Sequence, residues 1–121
     1  MIPPERLDVY RQAMAFAKAC ASATARIPDV DLRRQLLRAA RSIPANLAEG
    51  SASDSQAVFA RHVSIALGST RETECHLEIA REAGLLDPDT FEHLAEGVNN
   101  LRPRLIRLLL ALRRNAKRRT S

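Results

Sequence analysis

The feature that most constrains the fold is a run of regularly spaced apolar residues near the end of this 121-residue chain. They alternate between spacings of three and four, and they are Phe91, Leu94, Val98, Leu101, Leu105, Leu108 and Leu112. Such a heptad seam predicts a long amphipathic helix whose apolar face is buried against other helices. Pro103 removes one backbone donor from this helix but leaves the register of the seam unchanged.

Two helices are predicted in the first half of the chain. The first covers about residues 7–26, and it ends before Pro28 because the residue preceding a proline avoids the helical region. The second covers about residues 29–50, with apolar residues spaced four, three, four and four along one face. This face keeps its register across Pro44, which favours one kinked helix over two separate helices.

The remaining helix boundaries carry recognisable capping signals. Ser53 and Gln56 match a capping box at the start of the third helix. Gly84 suits the position just beyond its C-terminus, where a left-handed backbone is common. Asp87 followed by Pro88 predicts the start of the fourth helix, since proline is favoured at the first helical position.

Four helices with short connections predict an all-α, up-down-up-down four-helix bundle. Composition agrees, because aromatic residues make up only 3% of the chain and Trp is absent. We expect a single domain over residues 1–115 and a basic, disordered tail over residues 116–121. The chain has no apolar run long enough to span a membrane and no signal-peptide pattern at its start, so we expect a cytoplasmic protein.

The predicted fourth helix carries more apolar surface than one bundle needs. Ile106, Leu109 and Leu110 form a second stripe beside the heptad seam, and Leu37 lies outside the main stripe of the second helix. A helix that is apolar all round is normally buried all round. This pattern favours self-association; the alternative is a wide core face with a few exposed leucines.

Charge is distributed unevenly along the chain. All 14 acidic residues precede residue 102, whereas the residues from 102 onward carry eight Lys and Arg and no acid. Such a basic arm suits the phosphates of a nucleic acid. The alternative is a solvated helix end whose cations stabilise the helix dipole.

A second basic stripe is predicted on the second helix, where Arg34, Arg38 and Arg41 are spaced four and three residues apart. Combined with the basic arm, it defines the candidate nucleic-acid-binding set: Arg33, Arg34, Arg38, Arg41, Arg107, Arg113, Arg114, Lys117, Arg118 and Arg119. The few aromatic residues lie at positions expected to be buried, so stacking on bases is not expected. We therefore predict sequence-tolerant binding to RNA or DNA that weakens with salt, with a log–log slope of about −7 if eight charges engage duplex DNA.

Three stretches resemble one bacterial family. Residues 37–50 (LRAARSIPANLAEG) are very similar to its signature Arg-Arg-Ala-x-x-Ser-Ile-Pro-x-Asn-Ile-Ala-Glu-Gly, with Leu37 and Leu47 as the departures. Residues 7–13 resemble its usual opening, and residues 65–69 resemble its third-helix signature. The family is that of four-helix-bundle proteins encoded in intervening sequences of 23S rRNA genes, also labelled S23 ribosomal proteins.

The resemblance implies a four-helix bundle that assembles as a ring-shaped homopentamer. It implies no established activity, and the ribosomal label reflects gene location. A relative of this fold is an accessory protein that binds nucleic acid and a reverse transcriptase. The expected partners are therefore further copies of the chain, RNA or DNA, and a protein such as a nucleic-acid enzyme, but not a membrane.

The signature residues are interpreted as structural; they are Ser42, Ile43, Pro44, Asn46, Glu49, Gly50 and Gly68. Asn46 and Glu49 are three apart and share a helix face. Gly50 is predicted to be a left-handed C-cap before the third helix. Gly68 lies inside a helix, which predicts close approach of another helix, either within the bundle or between subunits.

Metal and enzyme chemistry have little support in the sequence. Glu72 and His76 are four apart, but di-metal bundles use a Glu three residues before each His, and Thr73 and Thr90 occupy those positions. Glu49 has no evident nucleophile or metal beside it. We predict no catalytic residues, no metal and no cofactor. A protein-binding scaffold without nucleic-acid contact remains the alternative function.

Overall fold

The computed structural model describes residues 4–120, with side chains for residues 8–118. It contains four helices and, within that range, no β-strand: α1 is Pro4–Thr24, α2 is Val30–Ser51, α3 is Gln56–Glu82 and α4 is Pro88–Thr120. Consecutive helices pack against each other and α4 closes on α1, whereas no described Cα atom of α2 lies within 8 Å of one in α4. The predicted all-α four-helix fold is confirmed, with α2 and α4 at diagonal corners.

The heptad seam of α4 forms one wall of the core. Leu101, Leu105 and Leu112 are fully buried. Near the end of the seam Leu109 is buried and Leu108 is only partly buried, because a straight helix drifts relative to a strict seven-residue repeat. The rest of the second stripe is not covered, since Ile106 and Leu110 are 41% and 48% exposed.

Helix α2 continues through Pro44 without a break, as the register of its apolar face predicts. Asp29 caps its N-terminus, because Asp29 Oδ1 accepts a hydrogen bond from the Leu32 backbone nitrogen at 3.0 Å. Pro44 itself is buried in the bundle. The apolar contacts on both sides of the proline therefore stabilise one continuous helix, whereas a proline in a helix on the surface would interrupt it.

The cap of α3 is Ser55, so the capping box predicted for Ser53 and Gln56 is wrong. Ser55 Oγ accepts a hydrogen bond from the Val58 backbone nitrogen at 3.2 Å, and Gln56 is already the first helical residue. Ser53 Oγ instead accepts from the Ser55 backbone nitrogen at 3.0 Å. Ser53 therefore shapes the turn that precedes the helix.

Replacing Ser55 with Ala is expected to lower the free energy of unfolding by about 1 kcal/mol, because an orphan N–H group of α3 loses its acceptor. Ser53→Ala, the matched control, is expected to have a smaller effect because its bond lies outside the helix. Urea denaturation of the two variants compares them directly. An equal or larger loss for Ser53→Ala would contradict the assignment of the cap.

The turn from α3 to α4 is built on Gly84, as predicted. Gly84 has a φ of +72°. Its backbone nitrogen donates to Arg81 O at 2.9 Å, and the Leu85 nitrogen donates to Ala80 O at 2.8 Å. This pair of bonds is a Schellman motif, which terminates α3 and satisfies two of its last carbonyls.

Asp87 caps α4 and makes the fold sensitive to acid. Hydrogen bonds from the Thr90 backbone nitrogen (2.9 Å) and the Thr90 hydroxyl (2.8 Å) lower the pKa of the Asp87 carboxyl. The stabilisation is therefore complete above the unfolded-state pKa of about 4 and is lost as pH falls through the lower folded-state pKa. Asp87→Asn keeps a capping oxygen, so its stability is expected to fall less steeply with acid than that of wild type. Parallel acid unfolding curves would contradict this.

The C-terminal segment differs from expectation. A disordered tail was expected over residues 116–121, but α4 continues through Thr120, and Ser121 lies outside the described residues. Ala, Lys and Arg are good helix formers, and cations stabilise the C-terminal end of a helix dipole. No helix within the described part of the chain is long and apolar enough to cross a membrane.

Candidate nucleic-acid interface

The end of α4 presents a basic surface that extends beyond the core. Among the described side chains of α4, Leu112 is the last that is buried. Arg107, Arg113 and Arg114 are exposed, and none of the three makes a hydrogen bond or ion pair with the rest of the described chain. We define the α4 basic segment as these three residues together with Lys117, Arg118 and Arg119. Lys117 and Arg118 are also exposed, and the Arg119 side chain is outside the described set.

Two other arginines of α4 are held by the bundle. Arg102 Nη2 lies 2.7 Å from Glu74 Oε1 on α3, and both side chains are about two-thirds buried. Arg104 Nη1 donates a hydrogen bond to Gln12 Oε1 on α1. Of the eight basic residues from 102 onward, these two join α4 to its neighbours, and five of the six in the α4 basic segment are exposed; the side chain of the sixth, Arg119, lies outside the described residues.

The predicted stripe on α2 is smaller than the sequence suggested. Arg34 and Arg41 are exposed, and Arg38 is 66% exposed although its Nη2 lies 2.7 Å from Glu72 Oε2. Arg33 is half-buried, and its Nη1 donates to Ile27 O at 2.8 Å and Ala25 O at 3.4 Å. Arg33 therefore closes the α1–α2 turn, and the exposed α2 stripe consists of Arg34, Arg38 and Arg41.

The structure does not bring the two basic surfaces together. Because α2 and α4 occupy diagonal corners, their outward faces point in opposite directions. The two surfaces also lie towards opposite ends of the bundle. Consecutive helices are antiparallel, so α2 and α4 run in the same direction. The α2 stripe lies early in α2, whereas the α4 basic segment lies late in α4. One chain therefore presents two separate basic surfaces.

Most of the acidic residues of the chain lie closer to the α2 stripe than to the α4 basic segment. Eight of the 14 acidic residues lie between residues 72 and 96, where Arg81 is the only Lys or Arg. This segment forms the end of α3 and the start of α4, at the end of the bundle opposite the α4 basic segment. Its Glu72 contacts the α2 stripe, and Asp31 lies next to that stripe on α2. The positive charge of the α4 basic segment is thus less compensated by neighbouring acids than that of the α2 stripe.

The polar signature residues of α2 form a seam against α3. Ser42 Oγ and Ser69 Oγ are hydrogen-bonded at 2.8 Å. Asn46 Nδ2 donates to Ser42 O and Ser42 Oγ at 2.9 and 3.0 Å, which directs Asn46 Oδ1 at His62 Nδ1, 3.0 Å away. His62 Nδ1 must then carry the proton, since an amide oxygen only accepts. Glu49 Oε2 lies 3.6 Å from the same nitrogen. These contacts fix the register of the two helices.

Gly50 is not the predicted left-handed C-cap. It lies inside α2, which ends at Ser51 with an ordinary right-handed cap at Ala52. A Cβ on Gly50 would meet His62 Cβ at 2.7 Å and Phe59 Cδ1 at 2.9 Å, both on α3. The position needs glycine because the two helices approach closely there, as they do at Gly97 of α4, where a Cβ would meet the Phe16 ring at 2.7 Å.

Gly68 behaves in the opposite way. It is exposed on α3, and a Cβ there would meet no atom within 4 Å. One of the two expected reasons for this glycine was close approach of another helix within the bundle. Among the described residues, that reason is excluded. Approach of a second subunit is the other reason, and it stays a prediction.

The carboxylate of the candidate metal pair is already in contact with two other side chains. Glu72 Oε2 is 3.4 Å from His76 Nε2 and 2.7 Å from Arg38 Nη2. Within the described residues no three His, Cys, Asp or Glu side chains gather into a metal-binding group. Cys20 is buried, and burial raises the pKa of its thiol to about 12, so it stays protonated and unreactive.

These features define a four-helix-bundle protein with a polar α2–α3 seam and a basic C-terminal helix. A family model described as 23S rRNA-intervening sequence protein matches residues 5–107. The chain belongs to this family, as its signature residues predicted. The match ends at residue 107, so most of the α4 basic segment lies beyond it.

A solved structure supports the fold. The chain is similar to a protein of unknown function from the S23 ribosomal protein family of Bacteroides thetaiotaomicron, at 23% identity, with a TM-score of 0.81 over 87% of this chain and 97% of that one. No curated protein matches the chain. Neither the family description nor that of the solved structure names an enzymatic activity.

Proposed function

We propose that this protein is a non-enzymatic oligomer that binds RNA or DNA through the phosphates, with the α4 basic segment as the contact surface. One observation carries the proposal. Arg107, Arg113 and Arg114 are exposed without intramolecular partners, in a stretch that contains no acidic residue. Guanidinium groups bind phosphate in a bidentate manner, and unpaired ones need not break an ion pair first.

The proposed contact is to the backbone rather than to the bases. Phe16 and Phe59 are buried, and Tyr10 and Phe91 are partly buried. The Phe91 ring is also covered by the Arg81 guanidinium, 4.4 Å from its centroid. With no exposed aromatic ring among the described residues, stacking on unpaired bases has no platform, and binding is expected to tolerate sequence.

Self-association increases the affinity of such a surface for a long nucleic acid. Among the described side chains, seven large apolar ones are more than 40% exposed, including Ile106 and Leu110 of α4. Burial of such residues between copies favours an oligomer, and the family resemblance implies a ring-shaped homopentamer. Each copy repeats the α4 basic segment, so a long nucleic acid contacts several segments at once and is held more tightly than by one.

A protein-binding scaffold is the second candidate function. Ile106 and Leu110 lie on the same exposed face of α4 as part of the basic segment. A mixed apolar and basic surface fits a partner protein whose own surface is apolar and acidic, such as a subunit of a nucleic-acid enzyme. In this case the arginines serve the protein contact and no nucleic acid binds directly.

A truncation that ends at Asn115 tests the proposal. It removes Lys117, Arg118 and Arg119 while keeping every buried residue of α4. Fluorescence anisotropy with labelled duplex DNA and RNA is expected to show weaker binding and a log–log salt slope smaller by about 3. Unchanged binding by the truncated protein would exclude Lys117, Arg118 and Arg119 from the contact surface. No binding by either protein at about 50 mM salt would exclude the whole segment and favour the scaffold.

A further inference from the structure

We propose that the groove between α3 and α4 holds one phosphate of the bound nucleic acid, between Arg61 of α3 and Arg113 of α4. This inference rests on the proposed function, since it gives one of the expected phosphate contacts a defined place and adds a residue of a second helix to the contact surface. The α3/α4 groove is an open cavity of about 410 Å³, lined by Ala57, Ala60, Arg61, Ser64, Arg113 and Ala116.

Helical periodicity and antiparallel packing bring these residues together. The four α3 residues are spaced three, one and three positions apart, so they share one face of that helix. The two α4 residues are three apart and also share a face. Because α3 begins beside the end of the antiparallel α4, its early turns lie next to the last turns of α4. Arg61 therefore lies beside the α4 basic segment, although it is distant from that segment in the sequence.

The polar side chains of the groove have no partners within the described residues. Arg61, Ser64 and Arg113 are exposed, and none of them makes a hydrogen bond or ion pair there. The hydroxyls of Thr70 and Thr73, further along α3, instead donate to carbonyls of their own helix. The rest of the lining is alanine, whose short side chain leaves the space open. The groove therefore offers two guanidinium groups and one hydroxyl as free donors.

No acid offsets the two charges of the groove. Residues 55–71 contain no Asp or Glu, and no acid follows Glu96 on α4. Asp54, which precedes α3, forms no ion pair with Arg61 or Arg113. The two guanidinium groups therefore repel each other without a carboxylate between them. A bound anion removes this repulsion, so the groove favours an anionic ligand.

The later half of α3 shows the opposite arrangement. There Glu72 pairs with Arg38 of α2, and Glu74 pairs with Arg102 of α4, each at 2.7 Å. Arginines that line α3 are thus neutralised where the helix carries acids. Arg61 lies in the acid-free half, where its charge is left for a ligand from outside the chain.

The donor set of the groove matches a phosphate. A guanidinium binds two phosphate oxygens at once, and two such groups from different helices can hold one phosphate from both sides. The Ser64 hydroxyl adds a donor of the kind that commonly contacts nucleic-acid phosphates. Contacts to phosphates fix the position of a nucleic acid without reading its bases. The groove therefore extends the contact surface from the end of α4 to the start of α3.

Two single substitutions on α3 test the groove. Arg61→Gln removes a charge that lines it, whereas Arg71→Gln, the matched control, removes one from an exposed and unpaired arginine outside it. Anisotropy titrations use a labelled duplex of about 20 base pairs near 0.1 M salt. Arg61→Gln is expected to weaken binding about fivefold and to lower the magnitude of the salt slope by about 1. Arg71→Gln is expected to leave both close to wild type, and circular dichroism checks that helix content is unchanged.

Double variants test whether the two arginines hold the same phosphate. Arg61→Gln combined with Arg113→Gln is expected to weaken binding by less than the product of the two single effects, because each arginine holds the phosphate less well without the other. Arg107 lines a different groove, on the α1 side of α4. Arg61→Gln combined with Arg107→Gln is therefore the control, and its two effects are expected to multiply.

The source of the phosphate is tested by adding inorganic phosphate in place of chloride at constant ionic strength. It is expected to displace the duplex little better than chloride does, because a free ion gains nothing from the neighbouring contacts. Strong displacement that Arg61→Gln abolishes would assign the groove to free phosphate and overturn the inference.

The inference is also overturned if Arg61→Gln binds like Arg71→Gln, or if the effects of Arg61→Gln and Arg113→Gln multiply. Either result leaves the α4 basic segment, and with it the proposed function, standing. Absence of duplex binding by the wild-type chain would instead overturn both.

Discussion

Changing Arg107, Arg113 and Arg114 together to Gln is expected to weaken binding to duplex DNA on the order of a hundredfold near 0.1 M salt. Binding releases about one counterion fewer for each phosphate contact that is lost. The magnitude of the log–log salt slope is therefore expected to fall by about 3. The fold is expected to persist, because the three residues are exposed and Gln is a good helix former. Anisotropy titrations at several salt concentrations measure both quantities.

The matched control removes charge from the other basic surface. Arg34→Gln combined with Arg41→Gln is expected to change affinity only slightly, because the α2 stripe is bordered by Asp31 and Glu72 and faces away from α4. If the control weakens binding as much as the triple variant, net charge rather than the α4 basic segment governs binding. That result would contradict the assignment of the site.

Gly50→Val is expected to lower the free energy of unfolding by about 3 kcal/mol, at the upper end of what overpacking costs. The added side chain would begin 2.7 Å from His62 Cβ, and neither backbone can move away without separating α2 from α3. Asn99→Val is the control, since Asn99 is exposed and the two residues have similar helix propensities. Urea denaturation at one protein concentration measures both.

Gly50→Asn distinguishes the packing role from a capping role. Asn is tolerated at left-handed C-caps, so a capping glycine would accept it at little cost. A glycine required by close helix packing would not, because Asn also has a Cβ. A stable Gly50→Asn variant would therefore contradict the structural account of this signature residue.

Local sequence signals correctly predicted those features of the bundle that depend on a single helix or turn. The α4 seam follows from periodicity alone, and Gly84 and Asp87 act through bonds to residues no more than a few positions away. The sequence did not identify which of two serines, Ser53 or Ser55, caps α3. Both serines precede α3 and both can accept from a backbone nitrogen, so the pattern alone does not select one.

The sequence predicted less about features that depend on two helices. The clash that requires Gly50 involves His62, twelve residues later on another helix, and Gly97 is required by Phe16 on α1. Likewise Arg33 looks like part of a basic stripe until the α1–α2 turn places Ile27 O within its reach. No local signal in the sequence reveals these contacts, because they arise from the packing of distant segments.

The same limit applies to the candidate site. Counting charges identified the basic residues of α2 and α4, but not that diagonal packing separates them by the width of the bundle. It also did not reveal that Arg102 and Arg104 are held by Glu74 and Gln12. The structure therefore narrows a candidate set of ten residues on two helices to one acid-free segment.

The most direct test of the central claim is the salt dependence of duplex binding by the wild-type chain. Six basic residues in the α4 basic segment predict a log–log slope of about −5 for one segment, and a steeper slope where several copies contact one duplex. Similar affinities for unrelated sequences are expected in the same titration. Absence of binding at about 50 mM salt, or a slope near zero, would contradict the claim that this surface binds phosphate.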